Sequence, residues 1–292
     1  MVPPADQDSH CSRRKPWPVT VAVGCGRFAG DRCAACRDCH HSCHRDASLG
    51  IGESASAARC HIRLRVAFDL LLYRLLSSLS MRIMTANLFN ANVSAYAFAE
   101  VLDAHLPDLV AIQELAQPSA VVLADRYDHG MAFPDGVQGC ALVGNRPIAV
   151  TRTELPFRPL LTAPVEVGDR TVIIGAVHLA NPVGLKDVAF RRHQVRALLD
   201  ELAGTEPMVL VGDLNSSPAW PAYRMVTQHL RDGVKDWARR SGTRPTRTWN
   251  WGTGSLKLLR IDHIMVRGVE LADVKVIDVA GSDHRAIVAD LV

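Results

Sequence analysis

Apolar positions are spaced differently in the two parts of this chain. From Met81 onward, short apolar runs of strand length are mixed with stretches of helical spacing, and a polar or turn-forming residue closes each run. The runs "RIMTANL" (82–88), "DLVAIQE" (108–114), "CALVG" (140–144), "PIAVT" (147–151) and "TVIIGAVHL" (171–179) predict strands. So do "MVLVGD" (208–213), "LRIDHIMV" (259–266), "VKVIDVA" (274–280) and "HRAIVADL" (284–291). Helical spacing covers 95–105 ahead of Pro107, 187–204 with Gly204 as its C-cap, and 219–230. Many of the strands lie close together in sequence, which favours packed sheets flanked by helices over a simple alternating parallel sheet.

Residues 1–80 lack that patterning. They hold seven of the eight cysteines, and 11 Lys/Arg against 7 Asp/Glu, which leaves 22 against 23 for the rest of the chain. By net charge the C-terminal part is therefore not a strongly basic nucleic-acid binder. Its single cysteine, Cys140, needs no disulfide and suits a reducing, cytoplasmic compartment. The stretch "CAACRDCHHSCH" (33–44) crowds four cysteines and three histidines together. Such ligands can hold Zn²⁺, but a typical zinc module separates two ligand pairs by a dozen or more residues. The other reading is a disordered or over-extended start: no methionine occurs between Met1 and Met81, and the composition changes abruptly at "MRIMTANLFN". "VTVAVG" is too short for a secretory signal. "VAFDLLLYRLLSSLS" (66–80) carries Asp69 and Arg74 and is too short to span a bilayer, so no transmembrane span is expected.

The strand ends carry the candidate chemistry. Asn87 closes the first strand, Glu114 the second, and His178 the strand 171–179. "VLVGDLNSSP" (209–218) follows a buried strand with Asp213 and Asn215, which on an extended chain would point to the same side. Asp262 sits among apolar neighbours, and "SDHRAIV" supplies Asp283 and His284. Each residue alone also reads as a turn former, a cap or a satisfied polar group. Together they suit metal-assisted hydrolysis of a phosphate ester. Hard oxygen ligands such as Glu114, Asp283 and Asn87 favour Mg²⁺ or Mn²⁺. Asp213 is placed to orient an attacking water, with Asn215 beside it. Asp262 behind His284 would fix the tautomer of an imidazole that contacts the phosphate.

These motifs, in this order from Met81 to Val292, resemble the endonuclease/exonuclease/phosphatase superfamily. "TANLFN" is similar to its first strand with a metal-side asparagine, Asn87, and "DLVAIQE" to the strand ending in its metal-binding glutamate, Glu114. "AVHLANP" resembles the segment with a phosphate-contacting histidine, His178, and "VLVGDLNSSP" the Gly-Asp-x-Asn signature. "RIDHIMV" and "SDHRAIVADL" resemble the strands that give Asp262, Asp283 and His284. The resemblance implies an α/β fold of the deoxyribonuclease I type, a two-sheet sandwich flanked by helices with the site at the sandwich edge. Two departures stand out: Phe89 replaces an acid common two positions after the first asparagine, and "GAV" precedes His178 where a threonine is frequent.

The expectation is a monomeric, Mg²⁺-dependent phosphodiesterase or nuclease. The alternatives are a phosphomonoesterase or lipid-head-group phosphodiesterase, and a non-catalytic binding module of the same fold. Nucleic acid is a candidate partner because "ARRSGTRPTRTWNWGTGSLKLLR" (238–260) carries six Arg/Lys and no acid, interleaved with Trp249 and Trp251. Arg191 and Arg192 read as ordinary surface on an exposed helix face.

Overall fold

The computed structural model describes residues 80–182, 184–250 and 256–292. The Cys/His cluster, the stretch 66–79 and Trp251 lie outside the described residues.

Two six-stranded sheets pack face to face, as the sequence predicts. The first has the order β11-β12-β1-β2-β4-β3 and the second β5-β6-β7-β8-β10-β9. In the first sheet these are β1 (Met81–Asn87), β2 (Leu109–Gln113), β3 (His129–Phe133), β4 (Cys140–Gly144), β11 (Leu271–Asp278) and β12 (Arg285–Leu291). The second comprises β5 (Thr151–Thr153), β6 (Leu160–Val167), β7 (Arg170–His178), β8 (Met208–Asp213), β9 (Arg231–Asp232) and β10 (Asp262–Arg267). Each sheet contains one parallel pair, β1 with β2 and β7 with β8. All other neighbours are antiparallel.

Period-two alternation builds three apolar layers from these strands. Ile83, Leu109, Val172, Val209, Ile264 and Ile287 fill the space between the sheets. The opposite face of the first sheet, with Met84, Val110 and Val288, packs against helices α1 (Ala95–His105) and α2 (Gln117–Ala124). The opposite face of the second, with Met208, Leu210 and Met265, packs against α3 (Leu185–Glu201) and α4 (Pro221–Val226). A further helix, α5 (Gly233–Arg240), follows β9. Helix α1 starts where the Ser94 side chain accepts the Ala97 N–H at 3.1 Å, buries Phe98 and Leu102 one turn apart, and ends at Leu106 before Pro107.

Several boundaries depart from the sequence reading. "PIAVT" is not a strand apart from its last residue, since β5 starts at Thr151. The helix expected over 219–230 stops at Val226, and α3 ends at Glu201 with Leu202 rather than Gly204 at its cap.

Candidate functional site

The strand polarity gathers the polar groups at one end of the sandwich. Parallel pairs run in the same direction, so β1 and β2 deliver Asn87 and Glu114 together, and β7 and β8 bring His178 opposite Asp213. Antiparallel neighbours begin where these strands finish: Asp262 at the start of β10 pairs with Asp213, and Asp283 and His284 enter β12 beside β1. Asn87, Gln113, His178, Asp213 and Asp262 also share parity with the residues between the sheets. The face that makes the core thus ends in polar groups at this edge.

Asp213 sits at the centre. Its Oδ1 accepts the Asn215 N–H at 2.6 Å, and its Oδ2 accepts Asn87 Nδ2 at 3.2 Å and Asn215 Nδ2 at 3.1 Å. Asp213 and Asn215 do converge, but not along an extended chain: Asn215 has φ 46°, and the Asp213 side chain closes a tight turn over it. Gly212, at φ 132°, makes that turn accessible, because a Cβ there would run into the Val177 carbonyl oxygen on the adjacent strand. Burial, together with the Asp262 charge, raises the Asp213 carboxyl to about 7.

His284 Nδ1 lies 2.9 and 3.1 Å from the two Asp262 oxygens, and its Nε2 is 3.9 Å from Asp213 Oδ2. Burial on its own would discharge this imidazole. The Asp262 carboxylate, with Asp213 and Asp283 behind it, outweighs that effect and raises its pKa to about 9. The Asp262 N–H is itself held by Thr248 Oγ1 at 3.2 Å. His178 behaves oppositely. Burial, helped by the Arg158 and His284 charges, pushes its pKa well below the usual value, so it is a neutral imidazole. Its Nε2 stands 3.3 Å from Asn215 Nδ2 and 3.5 Å from Asp213 Oδ2, while Nδ1 is buried without a hydrogen-bond partner.

The predicted metal side is more dispersed. Asn87 Nδ2 donates to Glu114 Oε1 at 3.3 Å, and Asn87 Oδ1 accepts the Phe89 N–H at 2.9 Å. Glu114 has left-handed backbone, φ 54°, and burial raises its pKa. Asp283 Oδ2 accepts Trp249 Nε1 at 2.9 Å, and its Oδ1 is buried with no hydrogen bond, 3.7 Å from His284 Nε2. The tightest set of donor atoms is instead Asp213, Asp262 and His284, all within 4.8 Å of one another, and this Asp-Asp-His group can take a metal ion. Asp262, however, already turns both oxygens to His284. Among the described residues, the only basic side chains within ion-pair distance of Glu114, Asp213, Asp262 and Asp283 are the imidazoles of His178 and His284, of which only His284 is charged. So many crowded carboxylates without a lysine or arginine ion pair fit a divalent cation with hard oxygen ligands.

Three residues near the site were not assigned there from sequence. Arg158, in the β5–β6 connection, is buried and donates to the Leu179 carbonyl at 3.2 Å and to Gln138 Oε1 at 3.2 Å, and among the described residues it has no carboxylate ion pair. Arg191 was read as surface and is buried: its NH2 donates to the Leu214 carbonyl at 2.8 Å, and its Nε has no partner. It shares a helix face with the buried Gln194, but both are polar, so the sequence carries no signal that this face is buried. Trp249, named only as part of the basic stretch, bridges to Leu259 and His284 and bonds Asp283.

The basic stretch does not act as one surface. Arg260 is buried against Asp232 at 2.6 Å, and Lys257 donates to the Asp283 carbonyl at 2.8 Å. Arg240 NH2 bonds the Leu271 carbonyl at 2.8 Å. Arg244 and Arg247 are exposed.

The sequence profile of the Endonuclease/Exonuclease/phosphatase family matches residues 84–284. Solved structures share the fold. An endonuclease/exonuclease/phosphatase from Beutenbergia cavernae DSM 12333 is 21% identical, with a TM-score of 0.57, over 73% of this chain and 71% of that one. The human Nocturnin catalytic domain with bound sulfate is 19% identical, TM-score 0.59, over 73% and 93%. A humanized D. rerio TDP2 is 20% identical, TM-score 0.57, over 74% and 100%. No curated protein sequence matches the chain.

Proposed function

The chain belongs to the Endonuclease/Exonuclease/phosphatase family, and from that premise we propose that it is a Mg²⁺-dependent phosphodiester hydrolase acting on a nucleotide-containing substrate. The observation that carries this reading is the pairing of a buried Asp213, raised to about 7, with an Asp262-backed His284, raised to about 9, their side chains 3.9 Å apart. Near neutral pH one group can accept a proton while the other holds one.

Each role follows from its atoms. Asp213 orients a water and takes its proton, and the two amides fixed on it, Asn87 and Asn215, set its direction. Protonated His284 donates from Nε2 to a phosphoryl oxygen, with Asp262 holding Nδ1. Neutral His178 and Asn215 also stand against Asp213 Oδ2. Arg158 supplies positive charge next to them. Glu114 and Asp283, with Asn87 between Glu114 and Asp213, are the residues to hold the ion. When bound, it would polarise a phosphoryl oxygen and offset the charge developing in the transition state. A nucleic-acid substrate is further supported by a related D. rerio TDP2 structure, described as complexed with a single-strand DNA product.

The test is hydrolysis of a diester, a monoester and plasmid DNA with Mg²⁺ or with chelator, beside Asp213→Ala. The expected outcome is metal-dependent turnover of the diesters that drops by about 10²–10⁴ in the variant. Equal activity in the two proteins would reduce Asp213 to a turn residue.

A further inference from the structure

Phe157 and Phe190 stand apart from the rest of the apolar side chains. Both are exposed, Phe157 at 52% and Phe190 at 39%, yet their rings meet edge to face, 6.4 Å between centroids at 87°. Phe157 also has left-handed backbone, φ 84°, a conformation that a bulky residue rarely adopts. The chain thus holds an aromatic ring in water at the expense of an unfavourable backbone, an arrangement that clusters at ligand sites.

The pair adjoins the catalytic edge. The Arg158 guanidinium lies 4.5 Å from the Phe157 ring centre and donates to the Leu179 carbonyl, one residue past His178. Glu114 and Asp213 act on its charge, so it faces their end of the sandwich. On α3, Phe190 precedes the buried Arg191, and Gln194 one turn later ties the two segments together through Ala180 N at 2.9 Å and the Pro156 carbonyl at 2.7 Å. The buried Arg158 guanidinium, which among the described residues has no carboxylate ion pair, therefore lies against one of two exposed rings. Charge complementarity calls for an anion near that guanidinium, and the ring pair calls for a flat apolar group joined to it.

We propose that Phe157 and Phe190 form a stacking platform for the substrate's nucleobase, next to the phosphate handled by Asp213 and His284. This rests on the phosphodiester reading and narrows it to substrates carrying a base on the His178 side. A perpendicular pair leaves a corner that receives one flat ring against a ring face. An alkyl chain is the poorer occupant, because Lys186, one turn before Phe190 on the same helix, is exposed at the same side.

The closing experiment measures binding, without turnover, on the full chain with Mg²⁺ by calorimetry. The probes are AMP, ribose 5-phosphate and octyl phosphate. Wild type is expected to bind AMP about tenfold more tightly than ribose 5-phosphate, the scale of one base–aromatic stack. Phe157→Gly suits the positive φ and so preserves the fold. It is expected to erase the AMP advantage and leave ribose 5-phosphate binding unchanged, and Phe157→Trp is expected to restore the advantage. Equal affinity for AMP and ribose 5-phosphate, no binding of either, tightest binding of octyl phosphate, or an AMP advantage that survives Phe157→Gly with Phe190→Ala would each overturn the proposal. Hydrolysis without base-dependent binding condemns this platform alone. Base-dependent binding in a chain that hydrolyses nothing condemns the hydrolase reading instead.

Discussion

At the scale of single residues, the site separates two imidazoles by their neighbours. His178 and His284 are both buried, and burial disfavours the charge on each. Only His284 has a carboxylate on Nδ1. In the metal-free protein its imidazole is therefore expected to stay protonated through pH 8 and titrate near 9, while His178 stays neutral throughout. Ring-proton NMR against pH checks this. Asp262→Asn should bring the His284 titration down, because the largest charge opposing its desolvation is removed and only Asp213 and Asp283 remain to raise it. The same variant should weaken turnover most at the alkaline end, where a His284 with a lowered pKa has lost its proton. An unchanged His284 titration in Asp262→Asn would show that Asp213 and Asp283 alone raise it.

Among the elements, the connection between β8 and β10 is organised by a second buried polar cluster. Asp232 accepts Tyr223 Oη at 2.7 Å and Arg260 NH2 at 2.6 Å, and His263 reaches from beside Arg260 to the Ser216 carbonyl at 2.8 Å. That carbonyl belongs to the loop behind Asn215, so the cluster braces the turn carrying Asp213. Asp232→Asn leaves a buried guanidinium unpaired and should cost about 3–5 kcal/mol in chemical denaturation. Burial would raise the Asp232 pKa, but the His263 ring 3.8 Å away and the Arg260 guanidinium bonded at 2.6 Å prevail and hold it far below the usual carboxylate range. A depressed folded pKa means that the unfolded chain takes up the proton first. The stability this group adds is thus full above about pH 4 and is lost as pH falls further. The wild type should lose stability faster below pH 4 than Asp232→Asn. At this scale the sequence was most legible where apolar runs were long. The run 171–179 and the β8 segment are legible as continuous apolar runs of buried strands, and in the structure strand parity brings Asn87, His178, Asp213 and Asp262 to one face. Strands β3 and β6 and helices α2 and α5 were missed. Exposed or mixed positions broke the alternation in β3, and α2 lacks a polar face. At Asn215 the sequence leaves turn and extended chain both open, because a left-handed residue leaves no trace in hydropathy. Arg191 was placed outside because a buried guanidinium satisfied by a backbone carbonyl looks, in sequence, like any surface arginine.

For the molecule as a whole, the first sheet is completed by the C-terminal strand. β12 lies between β1 and β11, pairs Met81 with Leu291, and is pinned by Arg82 to Asp290 at 2.7 Å. Each site residue falls between Asn87 and His284, inside the stretch 84–284 that matches the family. If folding and chemistry reside there, a chain beginning at Met81 should unfold in one transition. Its midpoint should lie within about 3 °C of the full-length protein, the shift made by roughly 1 kcal/mol in a domain of this size. It should also retain full metal-dependent turnover of the preferred ester. Scanning calorimetry of the two proteins, with steady-state kinetics alongside, makes the comparison. A Met81 chain with an intact midpoint but a collapsed kcat would assign residues 1–80 a part in catalysis. A lowered or broadened transition would instead show that β1 needs the preceding chain to hold its place beside β12.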